Sequence, residues 1–376
     1  MYFLNGDRIY IKPVKVCGTF IEELQNCLLQ IADINTEKKI FKLNFFIEAN
    51  SKEDYIHLRQ IIHREVFSLF SDDILLSILA QPPISGKLIV EACFYDPRFW
   101  NTTFVSKGEN GAVLFQQHES RILIGNVQSY ESESCLSDSE SAFSRLTEIF
   151  NLVNFDISTI VRQWNYIENI LGFDGIEQRY QEFNNVRSVV YGNSFKEKGY
   201  PAATGIGMNV GGIIIEFIAI QSSGLVTTPI DNPEQVAAHT YSNKVLVGEE
   251  CVLKTTPKFE RARFLELFGK KIIFISGTAS IRGEQTVGQG NPTEQAEVTI
   301  NNIKQLYSDK VLSQISTGNL LPKYGHGRIY ISNRKDYTEI RRTFKRHFGN
   351  LPVVYIVADI CRKDLLVEIE GKVILE

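Results

Sequence analysis

Two stretches of this chain spell out the same order of secondary-structure elements, and a duplicated order restricts the fold more than any single motif does. In the first, a strand at Arg121–Gly125 leads through a polar loop to a helix. A capping box, Ser137-Asp138-Ser139-Glu140, opens that helix, and Phe143, Leu146, Ile149 and Phe150 form its apolar stripe. A strand at Val161–Ile167, a helix over about 175–190 and a long apolar strand from Gly212 to Ile220 complete the unit. The second stretch opens with Lys271–Gly277. Its first helix starts at Asn291-Pro292-Thr293-Glu294, with Asn as cap and Pro at the first helical position. A strand at Arg328–Ser332, a helix carrying Tyr337, Ile340, Phe344 and Phe348 on one face, and a final strand pair follow. Each stretch reads β-α-β-α-β, which predicts an α+β fold with helices packed on one face of mixed sheets. The division expected is 1–225, including an extra N-terminal segment, and 226–376. In residues 1–118 the pattern yields strands at 40–49 and 86–95 and a helix over 52–71, read as scaffold without chemistry.

The final strand pair carries the most suggestive chemistry. An apolar run, Val353–Val357, breaks at the polar turn Arg362-Lys363-Asp364 and resumes from Leu365 to Ile374. A strand has a side-chain period of two, so Glu368 and Glu370 share one face and Val367 and Ile369 the other. A carboxyl on an inward face is costly to ionise and stays protonated, as a general acid must. The pattern alone leaves open whether these glutamates face a cavity or water at a sheet edge.

Other signals narrow the function. The net charge of −4 argues against a general polyanion partner, so nucleic acid is not expected. The basic cluster Arg341, Arg342, Lys345 and Arg346 reads as a solvated helix face. Six scattered cysteines without a CxxC pair suggest free thiols in a reducing compartment. Six histidines without paired spacing give no metal site. The start has no leader pattern and no apolar run is long enough to span a bilayer, so a cytoplasmic protein without membrane association is expected. The run Gly199–Gly207 precedes a strand and reads by itself as a turn that could let backbone approach a ligand. Ser276-Gly277-Thr278-Ala279-Ser280 follows a strand, where loops often line sites. Arg187 and Arg261 could bind carboxylates, or could form ordinary surface ion pairs.

Taken together, Gly199–Gly207, Phe259-Glu260-Arg261-Ala262, Ser276–Ile281 and Ala358–Glu370 resemble, in matching order, the motifs of the chorismatase family. Arg162-Gln163-Trp164-Asn165-Tyr166 is similar to the family pattern too, and the resemblance spans residues 110–376. It implies two RidA/YjgF-like domains and cleavage of chorismate with release of pyruvate, without metal or cofactor. It places at Glu368 the acid that protonates the enolpyruvyl methylene, although Glu370 shares its face. Cys361, seven residues before the acid, and Gly277 match the branch that yields 3-hydroxybenzoate. The other branch hydrolyses the ether to a 3,4-dihydroxycyclohexa-1,5-diene carboxylate. Arg187, Tyr200, Thr204 and Arg261 match motif positions suited to holding the substrate carboxylates. An imine or enamine deaminase, as among stand-alone RidA proteins, and a silent binding module are the competing classes. The deaminase reading is weakened because 350–354 lacks the arginine those proteins carry. A monomer or weak oligomer is expected.

Overall fold

The computed structural model describes residues 3–16, 18–34, 37–70, 73–106, 108–132, 134–242, 255–315 and 320–376, so Cys17 and Cys251 lie outside the described residues. Three sheets carry the fold. The first contains β1 (Arg8–Ile11), β2 (Lys39–Ile47), β3 (Leu75–Leu79) and β4 (Leu88–Tyr95), with helices α1 (Phe20–Ala32) and α2 (Lys52–Leu69). The second contains β5 (Asn101–Ser106), β6 (Gly111–Gln117), β7 (Ser120–Ser129) and β8 (Ile160–Glu168). After a short hairpin, β9 (Phe173–Asp174) and β10 (Glu177–Gln178), it is completed by β11 (Ala202–Met208) and β12 (Ile213–Gln221). Its helices are α3 (Cys135–Leu152) and α4 (Arg179–Tyr191). The third contains β13 (Val226–Ile230), β14 (Ala262–Leu267) and β15 (Lys270–Ala279), then the small hairpin β16 (Ile281–Arg282) and β17 (Gln285–Thr286). Helices α5 (Pro292–Gln305), α6 (Asp309–Ile315) and α7 (Tyr337–Phe348) alternate with β18 (Pro322–Ile331), β19 (Val353–Val357) and β20 (Val367–Leu375).

The sheet orders are β1-β4-β2-β3, β7-β12-β8-β11 with β6 and β5 beyond β7, and β15-β20-β18-β19 with β14 and β13 beyond β15. In each, an opening strand, a closing strand, a middle strand and a parallel edge strand lie side by side. Residues 8–95 therefore repeat the unit seen twice later in the chain, so this segment does more than provide scaffold. The repeated unit also has one more strand than β-α-β-α-β. In the second unit that strand is β11, which takes up Ala202 to Gly207 of the run expected to be a turn, while Gly199 before it has a positive φ of 71°. Its residues Ala202–Met208 pair in parallel with Arg162–Glu168.

Helix starts follow local chemistry. Asn291 caps α5 by accepting from the Glu294 amide, with Pro292 next, as expected. The α3 cap is Ser134, three residues earlier than the expected box at Ser137. Helix α1 has a full capping box between Thr19 and Glu22, and its apolar face buries Leu24, Cys27, Leu28 and Ile31.

Each sheet packs its own helices on one face in a separate apolar cluster. The other faces converge in a shared core that includes Phe41, Ile124, Trp164, Tyr330 and Ile356. Backbone bonds join the units where the parallel edge strands end: Asn209 N to Ala80 O, Gly207 N to Asp359 O, and Val357 N to Pro82 O. Three buried ion pairs close a ring inside. Lys42 Nζ meets Glu216 Oε1 at 2.9 Å, Arg162 meets Glu370 at 2.5 Å, and Arg328 meets Glu91 at 2.9 Å. Each pair crosses from one unit to the next. Burial alone would push the Glu91 carboxyl up, but Arg328 and Arg8 outweigh it and hold it at about 2. Buried pairs specify which surfaces meet, and losing one partner is costly. Arg328→Met is expected to lower unfolding stability by about 3–5 kcal/mol, and adding Glu91→Leu to recover part of that loss, as read by denaturant unfolding. A loss within the noise of the measurement would show that the ring does not tie the units together.

Candidate active site

A cavity opens between the second and third units. Strand β11 contributes Ala203 and Gly205, and the first turns of α4 contribute Tyr180, Gln181 and Asn184. Strands β15 and β20 contribute Gly277 and Glu368, while flanking loops bring Phe259, Arg261, Cys361 and Arg362. Glu368 reaches the cavity because strand alternation sends Val367 and Ile369 into the helix-side core and the glutamates toward the other units.

The two glutamates have different environments. Glu370 accepts from Arg162 at 2.5 Å and from Trp164 Nε1 at 3.0 Å, with Arg328 at 3.7 Å. Glu368 is 4% exposed and forms no ion pair among the described residues. Burial pushes its carboxyl up to about 8; the nearby Glu370 adds to this, while Arg162 and Arg261 pull partly back. At neutral pH the group is a carboxylic acid with a proton to give.

Backbone space sets its position. A Cβ built on Gly277 would overlap Glu368 Oε1 and stand 2.9 Å from its Cδ and 3.2 Å from Thr204 Cγ2. Any larger residue there must displace the acid. Cys361 sits half-buried on the wall; its enclosed position, and then Glu368, push the thiol up to about 12. It is therefore a neutral, compact wall group and a poor nucleophile.

Two cations line the cavity. Arg261 is 5% exposed; it donates to Val236 O at 2.6 Å and Tyr241 Oη at 2.5 Å and keeps its Nε without a partner. Arg362 donates to Glu284 O at 2.7 Å and lies 5.4 Å from the same Tyr241 ring. Neither has a carboxylate partner among the described residues.

Of the residues singled out by sequence, Glu368, Cys361, Gly277 and Arg261 meet on this cavity. Thr204 lies just behind it, its hydroxyl accepting from Arg162 at 2.7 Å. Arg187 stands one helical turn back, donating to the wall residue Asn184 at 2.5 Å. Tyr200 is off the wall, stacked on Tyr191 and bonded through its amide to Glu260. The residues sequence reasoning missed are Tyr180, Gln181, Asn184, Tyr241 and Arg362. The α4 residues gave no signal because their helix is amphipathically weak. Arg362 stood inside the C-terminal motif and was legible there as an unpaired cation beside the acid.

The other interfaces are built differently. Two residues before the glutamates of the ion-pair ring, Glu91, Glu216 and Glu370, stand Ile89, Ile214 and Glu368, so only one interface has an acid at that place. Between the first two units, Arg59 and His63 of α2 pair with Glu109. The molecule is thus a three-unit α+β protein with an inter-unit cavity that holds a buried, neutral carboxyl, Glu368.

The chain belongs to the chorismatase family. Residues 98–219 match the family model described as chorismatase FkbO/Hyg5-like, N-terminal. A chorismatase of Streptomyces hygroscopicus is 31% identical over 279 residues, covering 72% of this chain and 76% of that protein. A 3-hydroxybenzoate synthase of the same organism is 34% identical over 233 residues, covering 59% of this chain and 65% of that protein. A chorismatase crystal structure aligns over 98% of both chains at a TM-score of 0.70 and 23% identity, a likeness of fold.

Proposed function

We propose that the protein cleaves chorismate to 3-hydroxybenzoate and pyruvate. The observation that carries this reading is a buried, neutral carboxyl, Glu368, held on a strand at a cavity that two arginines also line. Chorismate is a dianion with a vinyl ether, so its cleavage needs cations for the carboxylates and an acid for the terminal methylene. In this reading Arg261 and Arg362 take the carboxylates, Arg187 and Asn184 brace one wall, and Glu368 gives its proton to the CH₂ carbon. The C–H bond forms with the alkene electrons, leaving an oxocarbenium ion that the new carboxylate stabilises. The ring C–O bond then breaks with both electrons going to the ether oxygen, which releases pyruvate. The neighbouring ring hydroxyl oxygen bonds to the vacated carbon and gives its proton to the Glu368 carboxylate. It then parts from its original carbon as a ring hydrogen shifts there and a second ring proton is lost, which leaves 3-hydroxybenzoate. The two products together contain the atoms of chorismate, so no water is consumed in sum. Gly277 supports this branch over hydrolysis, because it lets the acid occupy a position that a methyl group would block.

The test is incubation with chorismate, with pyruvate followed by a coupled assay and the aromatic product identified by chromatography. Absence of pyruvate would refute the reading. The pH profile adds a second check. The working form of Glu368 is protonated, so kcat/KM is expected to fall as pH rises through about 8. A rate that rises through that range would instead require the carboxylate form.

A further inference from the structure

Each glutamate of the ion-pair ring stands opposite a residue that bonds across an interface. Tyr10 faces Glu91, and its hydroxyl donates to Gly327 O of the third unit at 3.2 Å. Asn126 faces Glu216 and donates to Leu76 O of β3 at 2.8 Å and to Glu109 O at 2.7 Å. Opposite Glu370 the pattern changes. The pairing of β15 with β20 shifts there, so two residues, Ser276 and Gly277, face one, which makes a bulge. The Ser276 hydroxyl donates to Glu260 O at 2.6 Å and accepts from the Ala203 amide of β11 at 2.9 Å. Its own amide donates to Arg261 O at 3.1 Å, and its carbonyl accepts from Thr278 Oγ1 at 2.9 Å. The other residue of the bulge, Gly277, is the one whose missing side chain leaves room for the Glu368 carboxyl.

We propose that Ser276 is a positioning residue of the catalytic cavity: its hydroxyl clamps β11 to the bulge and so keeps the niche of Glu368 narrow and free of water. Ser276 is fully buried and acts through three neighbours that line the cavity, Ala203, Gly277 and Arg261. A hydroxyl suits the place because it donates and accepts at once. Without it, the buried Ala203 amide and the Glu260 carbonyl lose their partner, and water drawn in between β11 and β15 is what can satisfy them. Thr204 follows Ala203, and its Cγ2 is 3.2 Å from where a Gly277 Cβ would stand, so a seam opened at Ala203 opens at the acid. Water there favours the ionised form of Glu368, whose raised value comes first from burial. The inference rests on the reading of Glu368 as the acid and names what holds that acid in place.

The experiment reads the infrared carbonyl band of Glu368 in the full chain without substrate, isolated against Glu368→Gln in the same background, with chorismate turnover measured beside it. Ser276→Ala is expected to lower the pH midpoint of that band by at least about one unit and turnover by about ten- to a hundredfold. Ser276→Cys keeps a weak donor and acceptor at the same place. It should move the midpoint the same way by less, and it serves if the alanine variant folds poorly. Asn126→Ala removes the corresponding clamp between the first two units. It is expected to lower the melting temperature and to leave the midpoint and turnover at their parent values. A midpoint that Ser276→Ala moves no further than Asn126→Ala would overturn the proposal and leave the assignment of Glu368 standing. A parent without the protonated band would overturn both.

Discussion

Glu368→Gln is expected to lower chorismate turnover by about a thousandfold or more and to leave the fold intact. Glutamine keeps the shape and the burial but has no acidic proton, so only the transfer to carbon is lost. Stability should respond with a definite sign. The native carboxyl titrates at about 8, against an unfolded reference of 4.5. Between those values the native state holds a proton that the unfolded chain has released. The stability this gives is complete below the unfolded value and is lost as pH rises through about 8. The glutamine variant does not pay that loss, so above that pH it should melt higher than the parent, as read by thermal unfolding. Retained turnover would mean that another group supplies the proton. A variant that melts lower at alkaline pH would mean that Glu368 is not the buried, neutral group described here.

Gly277→Ala combined with Cys361→Ala is expected to shift the products toward the hydrolysed diene, with turnover lowered by about ten- to a hundredfold. The new methyl group overlaps the place of the Glu368 carboxyl oxygen and meets Thr204 on the other side, so the acid must swing toward the cavity. Removing the Cys361 sulfur enlarges the opposite wall, where water can enter. Acid and substrate then meet at a different angle, and water competes with the ring for the cation. Chromatographic separation of the two acids from one reaction measures the partition. An unchanged ratio would separate product choice from these two positions.

Sequence alternation placed Glu368 and Glu370 on one face, and the structure has them so. It could not rank them, because Arg162, which occupies Glu370, comes from a strand about two hundred residues earlier and a different unit. The duplicated units were legible from helix stripes and caps such as Asn291-Pro292. The first unit was not recognised as a copy, since β1 and β3 are only four and five residues long and have no turn signal. Yet the Thr19-x-x-Glu22 capping box before α1 was open to reading. The run Gly199–Gly207 looked like a turn because glycine is depleted in strands. At Gly205 the missing side chain admits Tyr180 of the same unit, and at Gly207 it admits the Asp359 backbone of the third unit, so here glycine marks close packing. The solvated face expected for Arg341, Arg342, Lys345 and Arg346 is present on α7. The cavity wall from α4 could not be seen, because its residues become neighbours of Glu368 only when two units dock.

The proton on Glu368 can be observed directly. Infrared difference spectra between the parent and Glu368→Gln, recorded across a pH series, isolate the carbonyl stretch of this one carboxylic acid. A protonated band present at neutral pH and lost with a midpoint of about 8 is the expected result. A carboxylate band already dominant at neutral pH, with a midpoint near the ordinary glutamate value, would contradict it.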